Sequence, residues 1–185
     1  AALISWAAQA AGIDAPRLIA VTDIGVDAAV LAYERVPGRL FTDLPSAIGD
    51  TELAGAWQLV GQLQRADIVH RALAPENFLL GNDGRVYLHG LADGAIAASD
   101  VLLRVDLAEA LCTLALLSDP KRAIDAGRAV LGDAAMARAL PALQPFAFSR
   151  ATRAALRGQR QLVSTLRREL GATLPQIEAE KVEIE

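Results

Sequence analysis

A loop and a tight hairpin in the middle of the chain constrain its fold more than any other feature. Short apolar runs at residues 77–80 and 85–89 flank Gly81-Asn82-Asp83-Gly84, a cluster of residue types that closes a two-stranded hairpin. Before the loop, apolar residues repeat at helical spacing over residues 50–65, and after the hairpin residues 100–117 are strongly apolar. The sequence therefore predicts a loop and a hairpin held between two helices.

This region also carries a motif. The loop contains His70-Arg71-Ala72, four further residues and then Asn77, and Gly90-Leu91-Ala92 follows the hairpin. The order resembles the protein kinase and aminoglycoside phosphotransferase superfamily, whose catalytic loop reads His-Arg-Asp with a later Asn, and whose metal-binding loop reads Asp-Phe-Gly. Ala72 and Gly90 stand where the family has its two aspartates. The resemblance implies a degenerate, pseudokinase member of this superfamily.

The two lost aspartates decide what chemistry the resemblance implies. Phosphoryl transfer depends on positioning and on cancelling phosphate charge, with one aspartate as base, one binding Mg²⁺, and a lysine on the phosphates. Ala72 and Gly90 offer no carboxylate, and no lysine precedes Lys121. We therefore expect no catalytic residue, no metal site and no required cofactor, with weak metal-independent nucleotide binding still open.

Other motif residues are expected to support the loop or to touch a ligand. His70 resembles the family histidine that packs beneath the loop, and Asp106 resembles the buried aspartate that accepts N–H groups from it. A buried carboxylate has to be paired or heavily hydrogen-bonded. The candidate positions for contact with a nucleotide are Asn77, Glu34, Val36 and Arg71. A structural loop role for Asn77 and a surface position for Arg71 are the alternatives.

The order of patterns along the chain predicts an α+β protein with a kinase-like fold. Residues 1–38 would form a partial N-lobe and hinge, with a helix at 1–11, a hairpin of 18–21 with 28–33, and a turn at 34–38. Residues 39–173 would form a mainly helical C-lobe, and the charged segment 174–185 a linker. Beyond the two helices named above, we expect helices at 122–131, 133–140, 149–156 and 159–170. Asp50 or Thr51 is expected to cap the helix at 50–65.

Composition narrows the partners and the compartment. The formal net charge of −4 gives no basic face for nucleic acid. Cys112 is the single cysteine, which fits a reducing compartment, and no run of about 18 apolar residues predicts a membrane span. The Arg-rich, Lys-poor usage is typical of bacterial chains of high GC content. We expect a cytoplasmic domain whose partner is another protein or the rest of a longer polypeptide of its own.

The resemblance extends to the kinase-like cytoplasmic part of bacterial lysylphosphatidylglycerol synthase or flippase-like membrane proteins. It implies a regulatory or ligand-binding module, tethered to the inner face of the plasma membrane through the rest of its polypeptide. One alternative is a divergent small-molecule phosphotransferase that uses ATP and a non-standard metal site drawn from Asp93, Glu76 and Asp23. Another is a helical interaction protein whose motif is accidental.

Overall fold

The computed structural model describes residues 2–25, 28–159 and 161–172. Within these ranges the protein is α+β, with seven α-helices and five short strands. The helices are α1 Ala2–Ala10, α2 Asp50–Arg65, α3 Asp100–Leu117, α4 Pro120–Leu131, α5 Asp133–Ala137, α6 Arg150–Ala155 and α7 Leu162–Ala172. The strands are β1 Leu18–Asp23, β2 Ala29–Tyr33, β3 Gly38–Leu40, β4 Phe78–Gly81 and β5 Val86–Leu88.

The N-terminal part consists of α1 and an antiparallel hairpin. Gly12 follows α1 at a φ of +69°, and the next N–H, of Ile13, donates to the carbonyl of Ala8 over 3.0 Å, so glycine ends this helix. The predicted hairpin is confirmed, with Val21 opposite Leu31 in β1 and β2. Most of β1 is exposed to solvent. The hairpin therefore contributes one edge of a cleft rather than a large share of the core.

A second sheet has the strand order β3-β4-β5 and is antiparallel throughout. The turn predicted for residues 34–38 runs too far, because Gly38 already belongs to β3 and pairs with Gly81. A Cβ at Gly38 would lie 2.2 Å from the carbonyl oxygen of Leu80, so only glycine permits this approach. The sequence gives no alternation over a strand of three residues, which explains why β3 was missed.

Helix α2 spans the predicted residues, but its predicted cap is wrong. Gly49 occupies the N-cap position without a side-chain bond, and Asp50 lies in the first turn. The carboxylate of Asp50 accepts instead from the guanidinium of Arg122 on α4. On the buried side of α2, the indole N–H of Trp57 donates to the carbonyl of Ala123 over 3.0 Å. These two contacts fix α2 against α4.

Helix α3 is the centre of the helical body. It begins after Ser99, whose hydroxyl accepts from the N–H of Leu102, and eleven of its 18 residues are buried. A helix buried on most of its circumference has to be surrounded by other elements, and α2, α4, α6 and α7 pack around it. Residues of α1, among them Ile4 and Ala8, belong to the same hydrophobic core. The core thus continues across the boundary expected at residue 38.

The C-terminal helices are shorter than predicted. The helix expected at 133–140 ends at Ala137, and a separate 3₁₀ turn covers Leu140–Ala142, where Pro141 cannot continue the hydrogen-bond ladder. The helix expected at 159–170 begins at Leu162 and runs to Ala172. The predicted linker at 174–185 lies outside the described residues.

Among the helices that the structure describes, none has both the length and the apolar character needed to cross a membrane.

Candidate ligand-binding cleft and its supporting loop

The loop that precedes the hairpin is held from below by one carboxylate. Asp106 on α3 is only 2% exposed, and its two oxygens accept the backbone N–H groups of His70 and Arg71, the latter over 2.9 Å. Arg71 has a φ of +65°, which is unusual for a residue with a side chain. The contact agrees with the expectation for Asp106. It stabilises the left-handed backbone conformation of Arg71, which costs free energy in a residue that has a side chain.

His70 links the loop to the segment after the hairpin. Its imidazole is fully buried, and Nε2 lies 2.8 Å from the carbonyl oxygen of His89. Because a carbonyl can only accept, Nε2 carries the proton in this contact. Nδ1 is buried without a partner among the described residues. Burial lowers the pKa of His70 below its ordinary 6.5, so the imidazole is neutral at pH 7.

Two buried carboxyl groups lie near each other on α3. Burial raises the pKa of Asp106 to about 7, against the lowering effect of the N–H donors from His70 and Arg71, and the nearby Glu109 raises it further. Glu109 is 1% exposed and accepts the backbone N–H of Ser149 over 3.0 Å. The loop therefore rests on a polar cluster whose members are bonded to backbone, as buried polar groups require.

Asn77 lies between Ala72 and Gly90, the two positions that the resemblance compares with the family's aspartates. Its amide Nδ2 donates to the carbonyl of Ala72 over 2.8 Å, and its backbone carbonyl accepts from the N–H of His89 over 3.0 Å. Gly90 has a φ of +82°, and a Cβ there would lie 2.7 Å from Oδ1 of Asn77. The Asn77 side chain thus fills the space next to Gly90 and holds the loop together.

A cavity of 520 Å³ opens between the β1–β2 hairpin and the β3-β4-β5 sheet. Of the predicted ligand positions, Glu34 and Val36 line it, together with Gly90. Asn77 and Arg71 are not among its lining residues, and the Arg71 side chain is exposed. The structure therefore brings the expected hinge to the cleft and leaves the two loop candidates outside it.

Sequence reasoning missed most of the walls of this cleft. The walls are largely aliphatic and include Leu40, Leu79, Leu88 and Leu91. His89 also lines the cavity, and its Nε2 is buried without a partner among the described residues. Burial lowers the pKa of His89 below 6.5. In the sequence, His89 stands directly after an apolar strand and before Gly90. That position suggests a residue at a strand end, but it does not tell whether the side chain lines a cleft or lies in the core.

The carboxylates considered for a substitute metal site do not lie in this cavity. Asp93, Glu76 and Asp23 are exposed, and none of them lines the cavity. Over residues 2–25, 28–159 and 161–172, no group of three or more His, Cys, Asp or Glu side chains is placed to hold a metal ion.

No protein-family model matches the chain, and no curated protein matches it with significant similarity.

Proposed function

We propose that this chain is a kinase-like domain without phosphotransfer activity, which acts as a regulatory or ligand-binding module. One observation carries the proposal. The loop that resembles a catalytic loop is supported by the buried Asp106, while Ala72 and Gly90, at the positions of the family's two aspartates, supply no carboxylate. Enzymes need such groups where charge develops in the transition state.

The support of the loop favours conservation of a scaffold over an accidental motif. Within the loop, the Asn77 amide donates to a backbone carbonyl. The carboxylate of Asp106 accepts two N–H groups of the loop, as the resemblance implies, and the imidazole of His70 bonds to the carbonyl of His89. These contacts join positions far apart in sequence, such as Asp106 and Arg71 at a separation of 35 residues. A chance match over a few letters would not be expected to place a buried carboxylate from a later helix beneath this loop.

The cleft itself is poorly suited to a magnesium–nucleotide complex. Mg²⁺ prefers hard carboxylate oxygens in octahedral geometry. The two motif positions that would supply them are Ala72 and Gly90, and Gly90 lines the cavity without a side chain. Glu34 is the acidic residue on the cavity wall, and it is already paired with Arg17 over 3.2 Å. This chemistry supports binding or regulation rather than turnover.

The exposed apolar side chains of the N-terminal part support a role within a larger assembly. Leu3, Trp6 and Ile19 are 63%, 53% and 60% exposed. Apolar side chains grouped on one part of a surface favour contact with protein. In our proposal this contact is made with a partner or with the remainder of the chain's own polypeptide, which would be membrane-associated.

The proposal is tested by ATP binding and turnover in the presence and absence of Mg²⁺. We expect no ATP hydrolysis above the buffer rate and no tightening of ATP binding when Mg²⁺ is added, measured by a phosphate-release assay and by calorimetry. Asp23→Asn, Glu76→Gln and Asp93→Asn serve as controls, because they remove the only substitute ligands considered. Turnover that needs Mg²⁺ and falls in one of these variants would establish the phosphotransferase instead.

A further inference from the structure

Charge is distributed unevenly along this acidic chain. The net charge of −4 conceals a strongly basic stretch at residues 134–172, which holds seven arginines, no lysine and a single acidic residue, Glu169. The segment that follows has the opposite character, because residues 178–185 contain four glutamates and one lysine. Six of the seven arginines belong to residues that the structure describes, so their surroundings are known.

Three of these arginines form a row on one side of α6. Arg150 and Arg153 lie in α6, and Arg157 lies in the 3₁₀ turn that directly follows it. Spacings of three and four residues place side chains on the same face of a helical backbone. All three arginines are exposed, whereas Thr152 and Leu156 between them are buried. We call Arg150, Arg153 and Arg157 the arginine row.

The arginine row has no acidic partner among the described residues. The side chains of Arg150 and Arg157 make no ion pair or hydrogen bond there. The guanidinium of Arg153 donates to the backbone carbonyls of Phe146 and Phe148, which carry no net charge. Three neighbouring cations repel one another, and an anionic group placed over them offsets that repulsion. The row is therefore suited to an acidic partner.

The acidic segment is tethered within reach of this row. Helix α7 follows the row in the sequence, and the described structure ends with it at Ala172. The eleven residues of α7 span about 16 Å, and the chain from Arg157 to Leu162 adds at most about 17 Å. Residues 173–185 can extend over about 43 Å. The last glutamates of the segment can therefore reach the row from the end of α7.

Charge and tether together favour this segment over an acidic peptide in solution. The row carries a charge of +3 and residues 178–185 a net charge of −3, so the two cancel. Exposed ion pairs are individually weak, but a tethered segment meets the row at a high effective concentration. A separate peptide has to supply that concentration itself.

We propose that residues 178–185 dock onto the arginine row of the same chain, so that this acidic segment covers a basic surface on α6. The inference goes beyond the proposed function and does not depend on it, because no residue of the cleft or of the loop above Asp106 takes part.

The test uses the full chain with one nitroxide spin label in the acidic segment. Ala179→Cys provides the attachment point between Glu178 and Glu180 without removing a charge. The native Cys112 stays unlabelled, because it is buried and burial raises the pKa of its thiol to about 12. A nitroxide broadens the NMR resonances of nearby backbone amides, so it reports which surface the segment contacts.

The expected result depends on salt. Amide resonances of residues 150–158 should lose at least about half of their intensity at about 0.01 M salt and regain it at about 1 M, because the Debye length falls from about 30 Å to about 3 Å.

A matched pair of double variants locates the contact. Arg150→Gln with Arg157→Gln removes two charges from the row. Arg39→Gln with Arg65→Gln removes the same charge at exposed arginines outside the row. We expect the first double variant to restore most of the lost intensity and the second to leave the broadening unchanged. Thermal unfolding of both variants shows that the fold is retained.

Three outcomes overturn the inference. Residues 150–158 may not lose intensity at low salt, which leaves the row bare and open to another anionic partner. The two double variants can act alike, which shows an effect of net charge alone. Broadening can also arise in a mixture of spin-labelled chain and isotopically labelled chain without the nitroxide, which places the segment on a second molecule. Mg²⁺-dependent ATP turnover overturns only the proposed function, since it changes none of these measurements.

Discussion

The support of the loop between α2 and β4 is polar, whereas the wall of the neighbouring cavity is mainly aliphatic. Beneath the loop, Asp106 accepts two backbone N–H groups and His70 donates to the carbonyl of His89. On the cavity wall, Gly90 offers no side chain, and most of the other lining residues are aliphatic, such as Leu79. The two regions therefore differ in what a substitution in each would change.

This difference shows that the residues that support the loop are distinct from the residues that line the cavity. A buried carboxylate such as Asp106 is expensive to leave unpaired, so its loss damages folding itself. A side chain that faces a cleft makes fewer contacts with the rest of the protein, so its replacement costs less stability. We therefore expect substitutions on the buried side to change stability and substitutions on the cleft side to change binding.

The largest expected effect is that of Asp106→Ala. The substitution orphans the N–H groups of His70 and Arg71 and releases the left-handed turn at Arg71. We expect the free energy of unfolding to fall by about 2–5 kcal/mol, measured by urea denaturation.

Asp93→Ala is the matched control, since Asp93 is exposed and makes no hydrogen bond or ion pair in the described structure. Its free energy of unfolding should change by no more than about 0.5 kcal/mol. Equal effects of the two substitutions would show that Asp106 does not support the loop.

A smaller effect is expected where the two sides meet, at Gly90. Gly90 and Gly84 have φ angles of +82° and +80°, but only Gly90 has a neighbour, Oδ1 of Asn77, within reach of an added Cβ. Gly84→Ala should cost about 1 kcal/mol for its backbone alone, and Gly90→Ala about 1–2 kcal/mol more. Urea denaturation of both variants measures the difference.

Removing the neighbour sharpens this comparison. In an Asn77→Ala background, the extra cost of Gly90→Ala should largely disappear, as a double-mutant cycle would report. If the extra cost persists, the Asn77 contact is not what requires glycine. The same contact bears on Ala72→Asp combined with Gly90→Asp, because a carboxylate at position 90 has to displace the Asn77 amide before it can bind Mg²⁺.

The smallest expected effect is the dependence of stability on pH. It is followed by the titration of each histidine separately. His70 and His89 are the two histidines of the chain, and burial lowers the pKa of both below 6.5. Folded protein therefore binds fewer protons than unfolded protein in this range, so their contribution to stability is lost as pH falls below 6.5. We expect NMR titration to place both imidazoles below the value that each shows in urea.

Asp106 changes the free energy of unfolding with pH in the direction opposite to that of the histidines. Its pKa is raised from 3.8 to about 7, so the folded protein holds this proton more tightly, and stability declines as pH rises between these values. The pH dependence of global unfolding combines the contributions of Asp106 and of the histidines, whereas NMR resonances report the titration of each imidazole alone. A histidine that titrates above 6.5 in the folded protein would contradict its burial as a neutral ring.

Local patterns predicted some elements well and others poorly. Helices α2 and α3 were predicted with their observed bounds, α2 from apolar residues at helical spacing and α3 from a long, strongly apolar stretch. The β4–β5 hairpin was predicted from the glycines and the Asn-Asp pair that close it. Strand β3 was missed, since three residues show no alternation and its pairing is decided by β4.

Predictions for single side chains depended on how far their partners lie along the chain. The cap assigned to Asp50 was wrong because its carboxylate bonds to Arg122, which is 72 residues away. The contact between Asp106 and the loop was anticipated only through resemblance to a family, and no periodicity indicates it. The aliphatic cleft walls come from β3, β4 and β5 together, so no single segment signals them.

The sequence by itself determined that this protein is α+β, where its two long helices lie, and that Ala72 and Gly90 carry no carboxylate. These properties are local, since they depend on residue types and on spacing within one segment. Only the tertiary structure decided that Val36 and His89 line one cavity and that Asn77 closes the space beside Gly90. Such contacts depend on how distant segments pack, and packing is a property of the whole chain.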